Sequence, residues 1–239
     1  MTARNSDAPV LMAQCQGLWR RTLLVDTDGS QDISTDVRWL QGRTRFVDLR
    51  RPTPRPDFGG TAGAADLTAQ QRGWLRMQDG FAGELTQRGN IFHWQRHIAM
   101  QPPGPFPDEG AMSYSDGILV ETGVHADYFE HWILDAPTGE CWAMDLESGS
   151  GDRALLLRVG ELFGWAHRDA AGAVELSLGA IAGNEWVITD SALPYREGHA
   201  LAPSWDTQGK SLHTNAIDAQ GTPITREWLV GFTEGNVTF

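Results

Sequence analysis

Gly17-Leu18-Trp19-Arg20-Arg21-Thr22-Leu23-Leu24-Val25 is the stretch from which the fold is read. Its residues alternate as a strand does, and Asp28-Gly29 follows as a hairpin-type turn signal. Outward from there, 35–41 and 44–50 form a hairpin across Gly42. Val37, Trp39, Phe46, Val47 and Leu49 are residue types that suit a pleated, half-buried surface. Strand patterns resume at 81–88, 91–100, 118–122, 127–135 and 140–147, then at 153–160, 163–169, 173–180, 185–191, 211–218 and 223–232. Many short strands with turn signals at Gly172, Gly183-Asn184 and Gly221 predict an all-β antiparallel barrel or sandwich with at most one or two short helices.

Residues 51–65 hold Pro52, Pro54, Pro56, Gly59, Gly60 and Gly63, and so form a long loop of the kind that serves as a lid or binding loop. A short helix over 67–73, capped by Asp66, follows it. A second Pro-Gly loop spans 101–110. Residues 1–16 read as a flexible leader and 17–239 as a single barrel domain. No fixed-period repeat is visible, which leaves a pseudo-repeat of two small barrels open.

The formal net charge is −12, with 19 Lys and Arg against 31 Asp and Glu. That balance argues against nucleic acid, whose phosphates need clustered positive charge. Lys210 is the sole lysine, which disfavours Schiff-base chemistry. Cys15 and Cys141 read as free thiols in a reducing compartment. No apolar run is long enough for a signal peptide or a membrane span, so a cytoplasmic protein is expected.

His93 and His97 lie four apart on a predicted strand, about 13 Å, too far to share one metal ion. Gly149-Ser150-Gly151 lacks the βαβ surroundings of a dinucleotide site and reads as a turn. No metal is therefore expected.

The stronger signal is charge on apolar strand faces. Residues two apart on a strand point the same way. One face of 91–100 reads Phe92, Trp94, Arg96, Ile98, Met100; one face of 127–135 reads Tyr128, Glu130, Trp132, Leu134; and Phe46 shares a face with Asp48 and Arg50. If the aromatic faces point inward, Asp48, Arg50, Arg96 and Glu130 lie inside, with Glu121 beside Leu119. Buried charge is costly unless paired or met by a ligand. Two readings compete: a structural Arg–carboxylate network, or a polar cluster in an aromatic cavity walled by Trp39, Trp94, Tyr128 and Trp132. If His93, Gln95 and His97 point inward instead, the assignment inverts.

The Gly17-Leu18-Trp19 opening resembles lipocalin-like (calycin) barrels. Trp94, Asp116-Gly117, Glu121-Thr122-Gly123, Tyr128, Glu130 and Trp132 are similar to a little-studied group of fungal and bacterial lipocalin-like proteins without an assigned function. The Trp39-Leu40-Gln41 and Val47-Asp48-Leu49-Arg50 segments look like its bacterial members. The resemblance implies a calycin-type barrel in which Arg226 of the last strand packs against Trp19, and it carries over no catalytic residue. The expected function is binding of a small, partly apolar molecule anchored by arginines and glutamates, with no cofactor. The alternatives are a lyase or isomerase using Glu121 or Glu130 as base, haem binding through His93, His97 or His131, and a ligand-free homodimer joined through an edge strand.

Overall fold

The alternation closes on itself. In the computed structural model, which describes residues 9–137 and 139–239, the first half of the chain forms β1 (Gly17–Val25), β2 (Gln31–Asp32), β3 (Asp36–Gln41), β4 (Arg45–Arg51), β5 (Asp79–Arg88), β6 (Ile91–Ala99), β7 (Glu109–Ser115), β8 (Ile118–Gly123) and β9 (Phe129–Pro137). Each of β3 to β9 pairs antiparallel with its sequence neighbour, β1 pairs with β3, and β9 returns to pair with β1. The result is a closed eight-strand barrel, with β2 a short appendage on β1. The one α-helix among the described residues, α1 (Ala69–Leu75), sits in the β4–β5 connection.

The second half forms β10 (Cys141–Glu147), β11 (Arg153–Val159), β12 (Leu162–Arg168), β13 (Val174–Ala182), β14 (Glu185–Ser191), β15 (Ser204–Trp205), β16 (Ser211–Ile217) and β17 (Pro223–Glu234). Their order is β14-β13-β12-β11-β10-β17-β16-β15. Cut between β6 and β7, the barrel reads β6-β5-β4-β3-β1-β9-β8-β7, which is the same winding strand for strand. The second sheet lacks the closing pair. Residues 198–201 bridge part of that gap: Val187 of β14 pairs with Ala200, Leu201 N donates to Trp186 O (2.8 Å), and Asn215 N donates to Leu201 O (2.7 Å).

β4 holds the two sheets together because both of its faces are buried. Phe46 packs in the barrel interior with Trp19, Trp39, Phe81, Phe92, Trp94 and Trp132. Val47 and Leu49 turn the other way, into a core shared with Leu155, Leu157, Leu176 and Leu178. The approach is close enough that a Cβ on Gly164 would stand 2.8 Å from Val47 Cγ2. The far side of the second sheet gathers Trp142, Trp165, Trp186 and Trp228 into a third core.

Several expectations are corrected. The face running from Phe92 to Met100 is split by a β-bulge. Ala82 pairs with Ile98 and Gly83 with Arg96, which leaves His97 as the extra residue and reverses the alternation. Phe92 and Trp94 therefore belong to the barrel interior, while Ile98 and Met100 pack toward the second sheet. Gly83 allows this crossing, since a Cβ there would fall 1.9 Å from Gln95 O. Leu134 is 45% exposed rather than inward. A strand, β7, lies where no strand was expected, because its Glu-Gly-Ala-Met-Ser-Tyr-Ser run has few β-branched residues. The α1 cap is Thr68, which accepts from Gln71 N at 3.2 Å; Asp66 binds the Ala62 and Gly63 amides instead. The 51–65 loop lies against the second sheet. Ala65 N donates to Ala219 O (2.8 Å), and a Cβ on Gly63 would fall 2.5 Å from Gly221 N, so the loop docks on the β16–β17 turn.

Arg226 does not meet Trp19. It lies in β17 of the second sheet and binds Asp152 at 3.0 Å, while Trp19 Nε1 donates to Cys15 O at 2.6 Å. Of the segment read as a leader, residues 1–8 lie outside the described residues. Residues 9–16 pack against one end of the barrel: Val10 and Cys15 are buried, and Gln87 bonds both Met12 N (2.9 Å) and Val10 O (2.7 Å).

The seam between the sheets gives a direct test. Gly164→Ala should overpack it and cost about 1–3 kcal/mol in urea unfolding. Adding Val47→Ala should return part of that loss, so that the two changes are not additive.

Candidate functional site

At the end of the barrel opposite residues 9–16, polar side chains replace the aromatic core. A cavity of about 240 Å³ opens there, lined by Leu24, Asp26, Arg50, Arg96, Asp108, Glu121, Tyr128 and Glu130. Period-two geometry places those carried on strands; Asp26, Asp108 and Tyr128 lie just outside them. Leu24 stands one residue before the end of β1; Phe46, Asp48 and Arg50 climb one face of β4; Trp132 and Glu130 run to the start of β9. Arg96 shares the inner face with Trp94 by alternation, and the bulge at His97 turns the strand over only beyond it.

The arginines are already engaged. Arg50 Nε binds Asp48 Oδ1 at 2.7 Å, with Asp48 4% exposed behind the cavity wall. Arg96 holds Asp108 Oδ2 at 2.7 Å and lies over the Phe81 ring, 3.6 Å from its centroid; Arg50 approaches the same ring at 4.9 Å. Arg21 reaches Glu130 Oε1 at 2.6 Å and Asp32 Oδ2 at 2.7 Å. Such charge-assisted pairs are strong when shielded from water.

Glu121 differs. It is 5% exposed and has no ion pair among the described residues; Tyr128 Oη donates to its Oε1 at 3.1 Å. Moreover, Glu121 sits directly opposite Glu130 in the β8–β9 ladder. Like charges in that position repel. Burial, then Glu130 and Asp108, push the Glu121 carboxyl well above its ordinary value of 4.5. Burial also raises Asp48, and Arg50 only partly offsets it. For Arg50 burial acts downward, but Asp48 and Glu130 outweigh it and hold the guanidinium charged. Tyr128 is raised by burial and then by Glu121 and Glu130, so its hydroxyl stays a neutral donor. Two glycines make room for this pair: a Cβ on Gly110 would lie 2.8 Å from Glu121 Cγ, and one on Gly123 would lie 2.4 Å from the Tyr128 ring.

Of the residues singled out in the sequence, Arg50, Arg96, Glu121, Tyr128 and Glu130 line this one cavity, and Asp48 stands behind it. Trp39, Trp94 and Trp132 do not line it. They form the packed floor below, with Trp39 and Trp132 centroids 5.6 Å apart and Trp39 and Trp94 centroids 6.0 Å apart. Trp94 borders a separate surface cavity with His93 and Pro103. His93 and His131 alternate with the inward residues Trp94 and Trp132, and His97 is the exposed bulge residue, so none of the three is placed to ligate a haem inside the barrel. Sequence reasoning missed Arg21, Leu24, Asp26, Phe81 and Asp108. Arg21 lies two residues after Trp19 and could have been found by the same alternation; Asp108 lies in a loop, where no period applies.

No protein-family model matches the chain, and no curated protein matches it. Among solved structures it is similar to the uncharacterized protein YLR301w from Saccharomyces cerevisiae, with a TM-score of 0.54 and 11% identity over 91% of this chain and 98% of that one. At that identity the likeness supports the barrel fold alone.

A buried acid with a raised pKa stabilises the fold below its unfolded value and loses that contribution as pH rises. Glu121→Gln should therefore leave the melting temperature near pH 4 almost unchanged and raise it at pH 7–8, by about 2–4 °C for each kcal/mol relieved. Thermal unfolding across that pH range measures it.

Proposed function

We propose that the chain is a lipocalin-like barrel that binds a small polar molecule at its open mouth. The observation that carries this reading is the cross-strand pair of Glu121 and Glu130, two carboxyls side by side on the inner face of a barrel. A purely structural network would have no need of the unpaired member. Uncompensated buried carboxyls are tolerated where a ligand or a reaction uses them. The partly apolar ligand suggested by the strand faces gives way to a polar one, because Leu24 is the one aliphatic residue lining the cavity and the tryptophans are packed beneath it. A volume of about 240 Å³ corresponds to about eight waters at ~30 Å³ each, which suits a compact molecule.

A second reading is favoured by Glu121 itself. A carboxyl with a raised pKa, bonded to a neutral tyrosine hydroxyl, is equipped to take and return a proton, as lyase or isomerase chemistry requires. Glu121→Gln that abolishes turnover of the natural ligand while keeping its binding would establish this over simple binding.

Native mass spectrometry of protein purified gently from its own cells tests the binding reading. One low-mass adduct per chain is expected, lost on denaturation and lost in Leu24→Trp, which fills the mouth. An adduct that survives Leu24→Trp would place binding elsewhere.

A further inference from the structure

The mouth carries an imbalance of charge that indicates what it takes. Four carboxyls line it, from Asp26, Asp108, Glu121 and Glu130, against the two guanidiniums of Arg50 and Arg96. Both guanidiniums are spoken for, Arg50 by Asp48 and Arg96 by Asp108, and Arg21 behind the wall is shared between Asp32 and Glu130. An anion entering the cavity would have to displace one of these carboxylates, and Asp48 is almost fully buried where it lies. Asp26 is exposed and holds the Thr27 amide and hydroxyl, so Glu121 is the buried carboxyl left without an arginine. It is more than nine-tenths buried and borders the cavity; its Oε1 takes the Tyr128 hydroxyl, and among the described residues its Oε2 has no protein donor.

We propose that the ligand of this cavity presents a cationic nitrogen, as an amidinium, a guanidinium or a protonated amine, to Glu121 and its cross-strand neighbour Glu130. The inference rests on reading the mouth as a binding site. A bare metal ion fits poorly, since no three His, Cys, Asp or Glu side chains among the described residues are grouped to hold one. An organic cation spreads its N–H donors over carboxylates that do not converge on one point, and a planar one can engage a carboxylate with two parallel hydrogen bonds. It would also relieve the repulsion between Glu121 and Glu130 that the β8–β9 register imposes.

Two isosteric series make the test: acetamidinium, acetamide and acetate, and benzamidinium, benzamide and benzoate. Within each series shape is nearly constant and charge changes. Each is titrated against the full chain, with backbone amide signals of Gly110, Gly123 and Tyr128 reporting on the mouth. The amidinium members should bind about tenfold tighter than their neutral and anionic partners. That preference should vanish in Glu121→Gln, which is expected to fold at least as well as the natural chain. In Asp108→Asn, which frees Arg96, the carboxylate members should gain affinity. If an amide or carboxylate binds at the mouth of the natural chain as tightly as its amidinium, the charge assignment is overturned and the binding site stands. If none of the six shifts the mouth signals, the binding site falls with it.

Discussion

Burial on both faces of β4 is the constraint on which the molecule is built. A strand between solvent and a core needs one apolar face; a strand between two cores needs two, and their contents cannot be exchanged without turning every side chain over. β4 meets this by placing Phe46, Asp48 and Arg50 on the barrel side and Val47, Leu49 and Arg51 on the other. The same register that seats Val47 against Gly164 therefore aims Arg50 at the mouth. Packing between the sheets and the position of the polar site are one decision, taken in seven residues.

The mouth sits at odds with the rest of the interior. Below it, the aromatic rings pack edge to face and satisfy one another. Above that floor, the carboxyls are arranged at a cost: burial and its neighbours push Glu121 toward its neutral form, and burial pushes Asp48 the same way with Arg50 only partly offsetting it. The loop 101–108 completes the rim by supplying Asp108 to Arg96, so a segment without regular structure pairs a side chain carried on a strand.

How far the sequence discloses this depends on which physical rule governs each residue. Alternation is local, and where it holds it found both the barrel and the inward charges: Asp48, Arg50, Glu121, Glu130 and Arg96 were all legible. It fails where one residue is inserted. Nothing in Gln95-Arg96-His97-Ile98 announces a bulge, and so alternation alone puts Ile98 and Met100 on the wrong face. Tryptophan is ambiguous for a different reason, because a large ring can wall a cavity or fill a core. Alternation offers Trp39, Trp94 and Trp132 as walls, whereas they form the floor; only the three-dimensional packing separates the two. The partner of Arg226 was out of reach, since it depends on β17 joining the second sheet and not the first. The matched winding of the two sheets was likewise invisible, because strand order leaves no period in the sequence.

The segment 9–16, stopping one end of the barrel, has a consequence for exchange. A tube open at both ends can be flushed; a cup is filled and emptied over a single lip. Because the floor of this cup is solid aromatic packing, a guest would rest near the rim and would not travel the length of the barrel. Its residence time would then be governed by the few side chains at the lip, Asp108 and Tyr128 among them, and the depth of the barrel would contribute rigidity alone.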